Sequence, residues 1–163
     1  MEKFNQNGSM GRCIARSEIE SLLHRYAVLA TDAPEIDKMI ALFHKDGFFR
    51  LPDGKAVKPE KFFEVIRGNK PQYARHHITS IDIQFVSPTE AHTQAYFIAM
   101  TQMSSVDHWG EWKDIVIKQE DGAWLIADRT CVVDGGDPKG WFRSTYPELG
   151  ASLLSSVASS GET

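Results

Sequence analysis

Apolar and polar positions along this chain follow a helical period first and a strand period later. From Ser17 to Thr31 the apolar residues recur three and four positions apart, which is the spacing of one helix face. Ser17 and Glu20 have the spacing of a capping box, so we predict that this helix begins at Ser17. Pro34 disfavours helical geometry in the residue before it and ends the pattern. The apolar face consists of Ile19, Leu22, Leu23, Tyr26, Ala27 and Ala30.

Two shorter helical patterns and one short strand follow this helix. The second predicted helix carries an apolar face formed by Ile36, Met39, Ile40 and Phe43. The third begins at Pro59, a residue suited to the first helical turn, and its face holds Phe62, Phe63 and Ile66. Between these two helices, residues 48–51 predict a strand that a Pro-Asp-Gly turn ends.

After Pro71 the apolar and polar residues alternate, which predicts strands. The predicted strands are His77–Val86, Ala91–Met103, Trp109–Lys118 and Ala123–Val133. Helices followed by an antiparallel meander indicate an α+β fold. We expect a curved antiparallel sheet of about five to six strands, wrapped around the N-terminal helices. It would form a cone whose internal cavity is the default ligand site.

The composition of the chain excludes several classes of partner and cofactor but adds little about the fold. The chain has 163 residues, enough for one domain, and its net charge of −4 argues against a nucleic-acid partner. No apolar run approaches the roughly 18 residues that cross a bilayer, so we expect no membrane partner. With two cysteines and no signal-peptide pattern, a cytoplasmic location is the default. No histidine or cysteine spacing predicts a metal, and no glycine-rich loop predicts a nucleotide, so we expect no cofactor.

The ends of the chain differ from its middle. Residues 1–16 are polar and predict a flexible lead, and residues 17–134 hold all the periodic patterns and predict the folded domain. Residues 135–163 are rich in glycine and then in serine. We expect a tail that is either loose or a partial lid over the cavity, hinged at Gly135, Gly136 and Gly140.

Four segments taken in order resemble the SnoaL-like family of the nuclear transport factor 2-like superfamily. They are residues 22–27 followed by Asp32, residues 75–80, residues 109–114, and residues 121–126 followed by Arg129. The resemblance covers roughly Glu18 to Val133. It implies the cone fold and a homodimer through the outer sheet face, or a higher homo-oligomer. The family includes dehydratases, isomerases, polyketide cyclases and non-enzymatic binders, so the resemblance implies a fold more firmly than an activity.

Within this family, the scytalone and bile-acid dehydratases resemble the chain most usefully, because they carry tyrosine, aspartate and histidine in the pocket. The resemblance implies Tyr26, Asp32 and His76 as catalytic residues. Two departures stand out: Leu51 lies where a tyrosine is expected, and Ala95 or Tyr96 falls where a second pocket histidine is expected in the 91–103 strand. The chemistry of dehydration therefore rests on fewer groups here than in those relatives.

The proposed roles compete with ordinary structural ones. His76 and His77 are adjacent on a strand and point to opposite faces, so only one can enter the cavity. We favour His76 as the acid or base, oriented by Asp32, although a surface histidine and a turn aspartate are the plain alternatives. Tyr26 is either a core aromatic or a phenol that polarises a substrate oxygen.

Further residues are candidates for contact with the substrate. They are Tyr96, Phe48, Trp112, Met100, Arg129 and His77. Arg129 has a structural alternative, an ion pair with Asp114 across adjacent strands.

We predict a cofactor-independent lyase, most closely a dehydratase, that acts on a small hydrophobic ring-bearing compound. An isomerase or polyketide cyclase with the same residues is the second hypothesis, since its reaction differs from that of the lyase only in where the proton returns. A non-catalytic domain that binds a small ligand is the third.

Overall fold

A computed structural model of the chain describes residues 6–30, 35–51, 54–61 and 71–148. Asp32 and the apolar residues predicted for the third helix, Phe62 to Ile66, lie outside these described residues. These described residues include the helices α1 (Gln6–Leu29), α2 (Ile36–Ile40) and α3 (Trp141–Thr145). The strands are β1 (Phe43–Arg50), β2 (Ala56–Val57), β3 (Ala74–Ser87), β4 (Glu90–Thr101), β5 (His108–Lys118) and β6 (Trp124–Gly136), with a 3₁₀ turn at Pro59–Lys61.

The six strands form one sheet in the order β2-β1-β6-β5-β4-β3. The α+β class and the strand number are as predicted, but an all-antiparallel sheet is wrong, because β1 runs parallel to β6. The helices precede most of the sheet, so β1 returns to the edge that the last strand leaves open. Its direction there follows from the crossover, which no local pattern encodes.

Helix α1 begins earlier than the capping box predicts. Its first residue is Gln6, so the predicted start at Ser17 is wrong and much of the predicted lead, from Gln6 to Arg16, is helical. Tertiary contacts oppose a break at Ser17: Ala15 is buried, and the Arg16 guanidinium donates to the Ile83 carbonyl at 3.1 Å. Packing on the sheet therefore overrides a local capping preference.

Phe43 belongs to strand β1 and not to the second helix, which ends at Ile40. The predicted four-residue helix face is thus wrong at its last member. Phe43 lies opposite Ile126 of β6, and the Ile126 amide donates to the Leu42 carbonyl at 2.9 Å. These backbone hydrogen bonds to the sheet are available only in an extended conformation, and they begin the strand earlier than residue 48.

Helix α1 covers one face of the sheet, which we call the inner face. Ile19 and Leu23 of α1 are fully buried there. Ala95 and Ala99 of β4 are also fully buried, and Phe97 between them is nearly so. The other side, the outer face, exposes apolar side chains at Tyr96, Trp109 and Ile115. The homodimer expected through that face stays a prediction. None of the described helices is long and apolar enough to cross a membrane.

Candidate functional site

The strand that carries the two adjacent histidines separates them. His77 is exposed on the outer face, whereas His76 is half-buried on the inner face. The Nδ1 atom of His76 is enclosed and has no hydrogen-bond partner in the described structure. A hydrogen bond to the Ala30 backbone therefore falls to the other ring nitrogen, Nε2. That bond places the proton of a neutral imidazole on Nε2 and leaves a lone pair on Nδ1.

The surroundings of His76 keep it neutral. The pKa of His76 is lowered to about 3, mainly by burial and also by the charges that His108 and Arg129 can carry, and the Ala30 hydrogen bond only partly offsets these effects. Desolvation disfavours a cation in an apolar enclosure. At neutral pH the His76 side chain is thus an unprotonated base with a free nitrogen directed into the interior.

Aromatic rings enclose this histidine. The His76 ring centroid lies 5.5 Å from that of Trp112 and 5.7 Å from that of Phe97. Phe97 and Trp112 stack on one another at 5.0 Å, and Tyr26 of α1 meets Trp112 edge-on at 5.2 Å. Together with His108, these residues form what we call the interior cluster. Its composition, flat rings around an imidazole, suits an apolar ring-bearing ligand.

A second histidine lies in this cluster. The His108 ring centroid is 6.0 Å from that of His76, and Phe142 of α3 stacks on His108 at 4.9 Å. The Nδ1 atom of His108 is 2.8 Å from Oδ1 of Asp107. The His108 side chain is nearly buried, and the Asp107 side chain is fully buried. Because a carboxylate can only accept, Asp107 fixes a proton on Nδ1 of His108.

The Asp107 carboxylate is fully occupied by donors. Besides His108, it accepts the Thr101 hydroxyl at 2.8 Å, the Trp141 amide at 2.6 Å and the Phe142 amide at 3.0 Å. Burial acts to raise the pKa of Asp107, but these hydrogen bonds outweigh it and hold the pKa at about 2. A charged carboxylate that accepts four hydrogen bonds thus joins the end of β4, the start of β5 and helix α3.

The chain around Gly140 is shaped to reach this carboxylate. A Cβ atom at Gly140 would lie 2.8 Å from Oδ2 of Asp107 and 3.0 Å from its Cγ, so only glycine fits at this approach. Phe142 is buried and packs against Tyr146 with ring centroids 5.2 Å apart. Of the predicted tail, the part at Trp141–Thr145 is therefore docked against the interior cluster.

A buried ion pair lies on the other side of Trp112. Arg129 donates to both oxygens of Asp114, from Nε at 2.8 Å and from Nη2 at 2.6 Å, which confirms the pair expected from the sequence. Its guanidinium carbon lies 4.0 Å above the Tyr26 ring and 4.6 Å above the Trp112 ring. Nη1 is buried without a hydrogen-bond partner in the described structure. Arg129 thus brings one unused donor to the cluster.

Burial also sets the state of two weaker acids. It raises the pKa of Tyr26 well above its usual value, although Arg129 opposes the shift. It raises the pKa of the Cys131 thiol to about 12, again against Arg129. Tyr26 therefore stays a neutral phenol, and Cys131 stays a thiol that is a poor nucleophile.

The structure brings some of the predicted site residues together and separates others. His76, Tyr26 and Trp112 meet in the interior cluster, and Arg129 lies against it over the Tyr26 and Trp112 rings. His77, Tyr96, Met100 and Phe48 lie on the outer face, because each follows an inner-face residue in a strand whose side chains alternate. The correction is plain for Phe48: its neighbour Phe49 is buried inward, while Phe48 is 37% exposed and lies under the Lys58 ammonium group.

Sequence reasoning missed Asp107 and His108. A usable signal exists: counting back in twos from Trp112 along β5 places His108 on the inner face. Its chain neighbour is an acid, which is the pairing that orients a histidine. What the sequence does not supply is the return of α3 to the same carboxylate.

Two other features of the described residues make weaker candidate sites. A groove of about 470 Å³ lies mainly on the outer face, but its Arg50 and Asp128 already satisfy one another at 2.6 Å. Within the described ranges, no three His, Cys, Asp or Glu side chains gather as a metal site would require. The interior cluster remains the best candidate.

Comparison with known families agrees with this fold. The model of the SnoaL-like domain family matches residues 12–130. No curated protein matches the chain.

Solved structures of similar fold are distant in sequence. A presumed scytalone dehydratase from Novosphingobium aromaticivorans is 20% identical with a TM-score of 0.65, over 77% of this chain and 87% of that one. ActVI-ORFA from Streptomyces coelicolor is 18% identical with a TM-score of 0.63, over 74% and 97%. A hexachlorocyclohexane dehydrochlorinase, LinA-type3 from Novosphingobium barchaimii, is 12% identical with a TM-score of 0.67, over 79% and 92%. At such low sequence identities, these TM-scores show a shared fold and nothing finer.

Proposed function

We propose that this chain, which belongs to the SnoaL-like domain family, is a cofactor-independent lyase of the dehydratase type. In this proposal His76 removes a proton from a small ring-bearing substrate. One observation carries it: a neutral histidine presents an unpartnered Nδ1 at the centre of an aromatic interior. A buried polar atom without a partner costs about 1–3 kcal/mol, which is a cost that a bound substrate would remove.

The environment of His76 favours a particular kind of substrate. A pKa of about 3 makes His76 a weak base, because burial disfavours the imidazolium and the Ala30 hydrogen bond compensates only in part. A substrate carbonyl next to the acidic carbon would turn into an enolate as the proton leaves. The negative oxygen would then stabilise the imidazolium, and this interaction would exist only once charge develops. We therefore infer a proton next to a carbonyl or a phenol.

Two residues are suited to that developing oxygen charge. Arg129 is held by Asp114 and keeps one buried Nη1 donor free. Tyr26 is kept protonated by burial and can act as a hydrogen-bond donor. Both lie against Trp112, whose ring would form one wall for a flat substrate. Asp32 stays a prediction as the residue that orients His76.

An isomerase or cyclase is the second candidate, and one observation favours it. The two imidazoles of the interior cluster lie 6.0 Å apart, so a proton taken by one could return to the substrate from the other. Such a reaction would leave the mass of the substrate unchanged.

The test is a mass-spectrometric screen of hydroxylated aromatic ketones and other polyketide-like compounds. It compares the wild-type protein with His76→Gln, Asp32→Asn and His77→Gln, the last a matched control on the outer face. Loss of one water from a compound, abolished in His76→Gln and retained in His77→Gln, is the expected result. Conversion without mass change that needs His76 would establish the second candidate. Binding without turnover, equal in all variants, would leave a ligand-binding domain.

A further inference from the structure

The interior cluster holds two histidines in opposite settings. His76 has a free Nδ1 and no acidic partner among the described residues, while His108 is paired at 2.8 Å with a fully buried carboxylate. When two titratable groups share a site and their surroundings differ in this way, one serves as the base and the other as the acid. An elimination of water needs both, because hydroxide is a poor leaving group.

We propose that His108 is the general acid of this site, and that Asp107 is the positioning residue that orients it. The proposal rests on the lyase function above and deepens it. His108 would touch the oxygen that leaves, while Asp107 would act only through His108.

Three contacts set the geometry of His108. Asp107 binds Nδ1–H, so the second nitrogen, Nε2, points away from the carboxylate. Phe142 stacks on the ring and limits its rotation. The His108 ring lies edge-on to the His76 ring with centroids 6.0 Å apart, so one substrate bound beside the two imidazoles could touch both.

The proposed step balances in atoms and charge. Neutral His76 takes the proton from carbon through Nδ1, the new carbon–carbon double bond forms, and the carbon–oxygen bond breaks. The leaving oxygen takes the Nε2 proton of the imidazolium form of His108 and departs as water. His76 is then cationic and His108 neutral, and exchange of one proton with solvent restores the starting state. Asp107 accepts the Nδ1–H of His108 before and after the step, so the ring keeps its orientation while Nε2 gives up its proton.

Helix α3 makes this arrangement specific to the folded chain. The Trp141 and Phe142 amides donate to the same carboxylate from 34 and 35 residues away in the sequence. They prevent Asp107 from rotating away from His108, since each oxygen is held by two donors. The ordinary explanation, a carboxylate that only fastens α3, would not require an imidazole at position 108.

Dependence on the leaving group tests the acid. A substrate found by the screen is compared with its chloro analogue, in which chloride replaces the hydroxyl and needs no proton to leave. His108→Gln should slow loss of water about 100- to 10,000-fold in kcat, and slow loss of chloride by less than about tenfold. His76→Gln should slow both reactions. Equal slowing of both reactions by His108→Gln, or no slowing, would overturn the proposal.

Ring nitrogen NMR tests the positioning role without a substrate. In protein labelled with ¹⁵N-histidine, the His108 Nδ1 signal should be that of a protonated nitrogen, and Asp107→Asn should shift the proton to Nε2. A wild-type His108 that carries its neutral-state proton on Nε2 would contradict the role given to Asp107. Wild-type protein that turns over no substrate in the screen would overturn the lyase function and this inference together. Turnover that is insensitive to His108→Gln would overturn the inference alone.

Discussion

Two buried carboxylates each bind a different basic side chain: Asp114 binds Arg129, and Asp107 binds His108. The first pair has a structural role, whereas the second can take part in proton transfer. Asp114 binds Arg129 through both oxygens, and each side chain is fully buried. Asp107 binds His108 through one oxygen and spends its remaining capacity on Thr101 and the start of α3. The geometry of each contact is similar, with distances of 2.6 to 2.8 Å.

The partner decides what each carboxylate can do. A guanidinium is charged at every working pH, so the Asp114–Arg129 pair carries a fixed charge balance. An imidazole changes charge near neutrality and has a second nitrogen to use, so the Asp107–His108 pair can take part in proton transfer. His76 lies between them without an acidic partner among the described residues, which makes it the site's neutral base.

The largest effect should follow from breaking the fixed pair. Asp114→Asn leaves the Arg129 guanidinium buried without its counter-charge, and we expect a loss of about 3–5 kcal/mol in the free energy of unfolding. Urea denaturation measures it. The double variant Asp114→Leu with Arg129→Met removes both charges and should recover most of the loss. A single variant as stable as the wild type would show that water reaches the pair.

The same change at the other carboxylate should cost less. In Asp107→Asn, His108 can move its proton to Nε2 and accept from the new amide, so no charge is stranded. One orphaned donor remains among Thr101 and the α3 amides, which costs about 1–3 kcal/mol of unfolding free energy. Urea denaturation of Asp107→Asn and Asp114→Asn side by side tests this ranking. A larger loss of unfolding free energy in Asp107→Asn than in Asp114→Asn would reverse it.

The neutral histidine should make stability depend on pH. The unfolded chain protonates His76 near the ordinary value of 6.5, whereas the folded chain resists protonation down to about 3. As pH falls through this window the unfolded state binds the extra proton, so His76 reduces stability by at most about 1.4 kcal/mol per pH unit. Above 6.5 this contribution vanishes, since neither state binds the proton.

The variant His76→Phe removes that dependence and fits an aromatic surrounding. Urea denaturation from about pH 7 to about pH 4 should give a flatter profile for this variant than for the wild type. His77→Phe, on the exposed outer face, is the matched control and should keep the wild-type slope. An unchanged slope in His76→Phe would mean that His76 is hydrated and charged in the fold.

The smallest effect should come from a pair with the same geometry on the surface. Arg50 binds Asp128 through two nitrogens at 2.6 to 3.0 Å, but both side chains reach solvent on the outer face. Water screens such a pair and hydrates whichever charge is left behind. Asp128→Asn should therefore leave the urea midpoint nearly unchanged, and a loss comparable to that of Asp114→Asn would show that geometry outweighs burial.

Much of the fold and part of the site follow from periodicity alone. The alternation of strand residues predicts the inner placement of Trp112 and the separation of His76 from His77. Arg129 turns inward because the register of β6 shifts between Ile126 and Asp128, which alternation does not predict. The same alternation places Tyr96 and Phe48 outward, against the substrate contacts expected from them. Their apolar character favoured a pocket, but a strand offers only every second position to one face.

By itself, the sequence determined the order of helices and strands and the rule that only one of two adjacent histidines can enter the interior. It also predicted the Asp114–Arg129 pair across neighbouring strands. These features depend on the period of a strand and on neighbours joined by short turns. Only the tertiary structure decided the parallel pairing of β1 with β6, the earlier start of α1, and the meeting of Asp107, His108 and α3 beside His76. Those contacts join segments far apart in the chain, and their approach is set by register, crossover and packing of the whole inner face, which local preference does not encode.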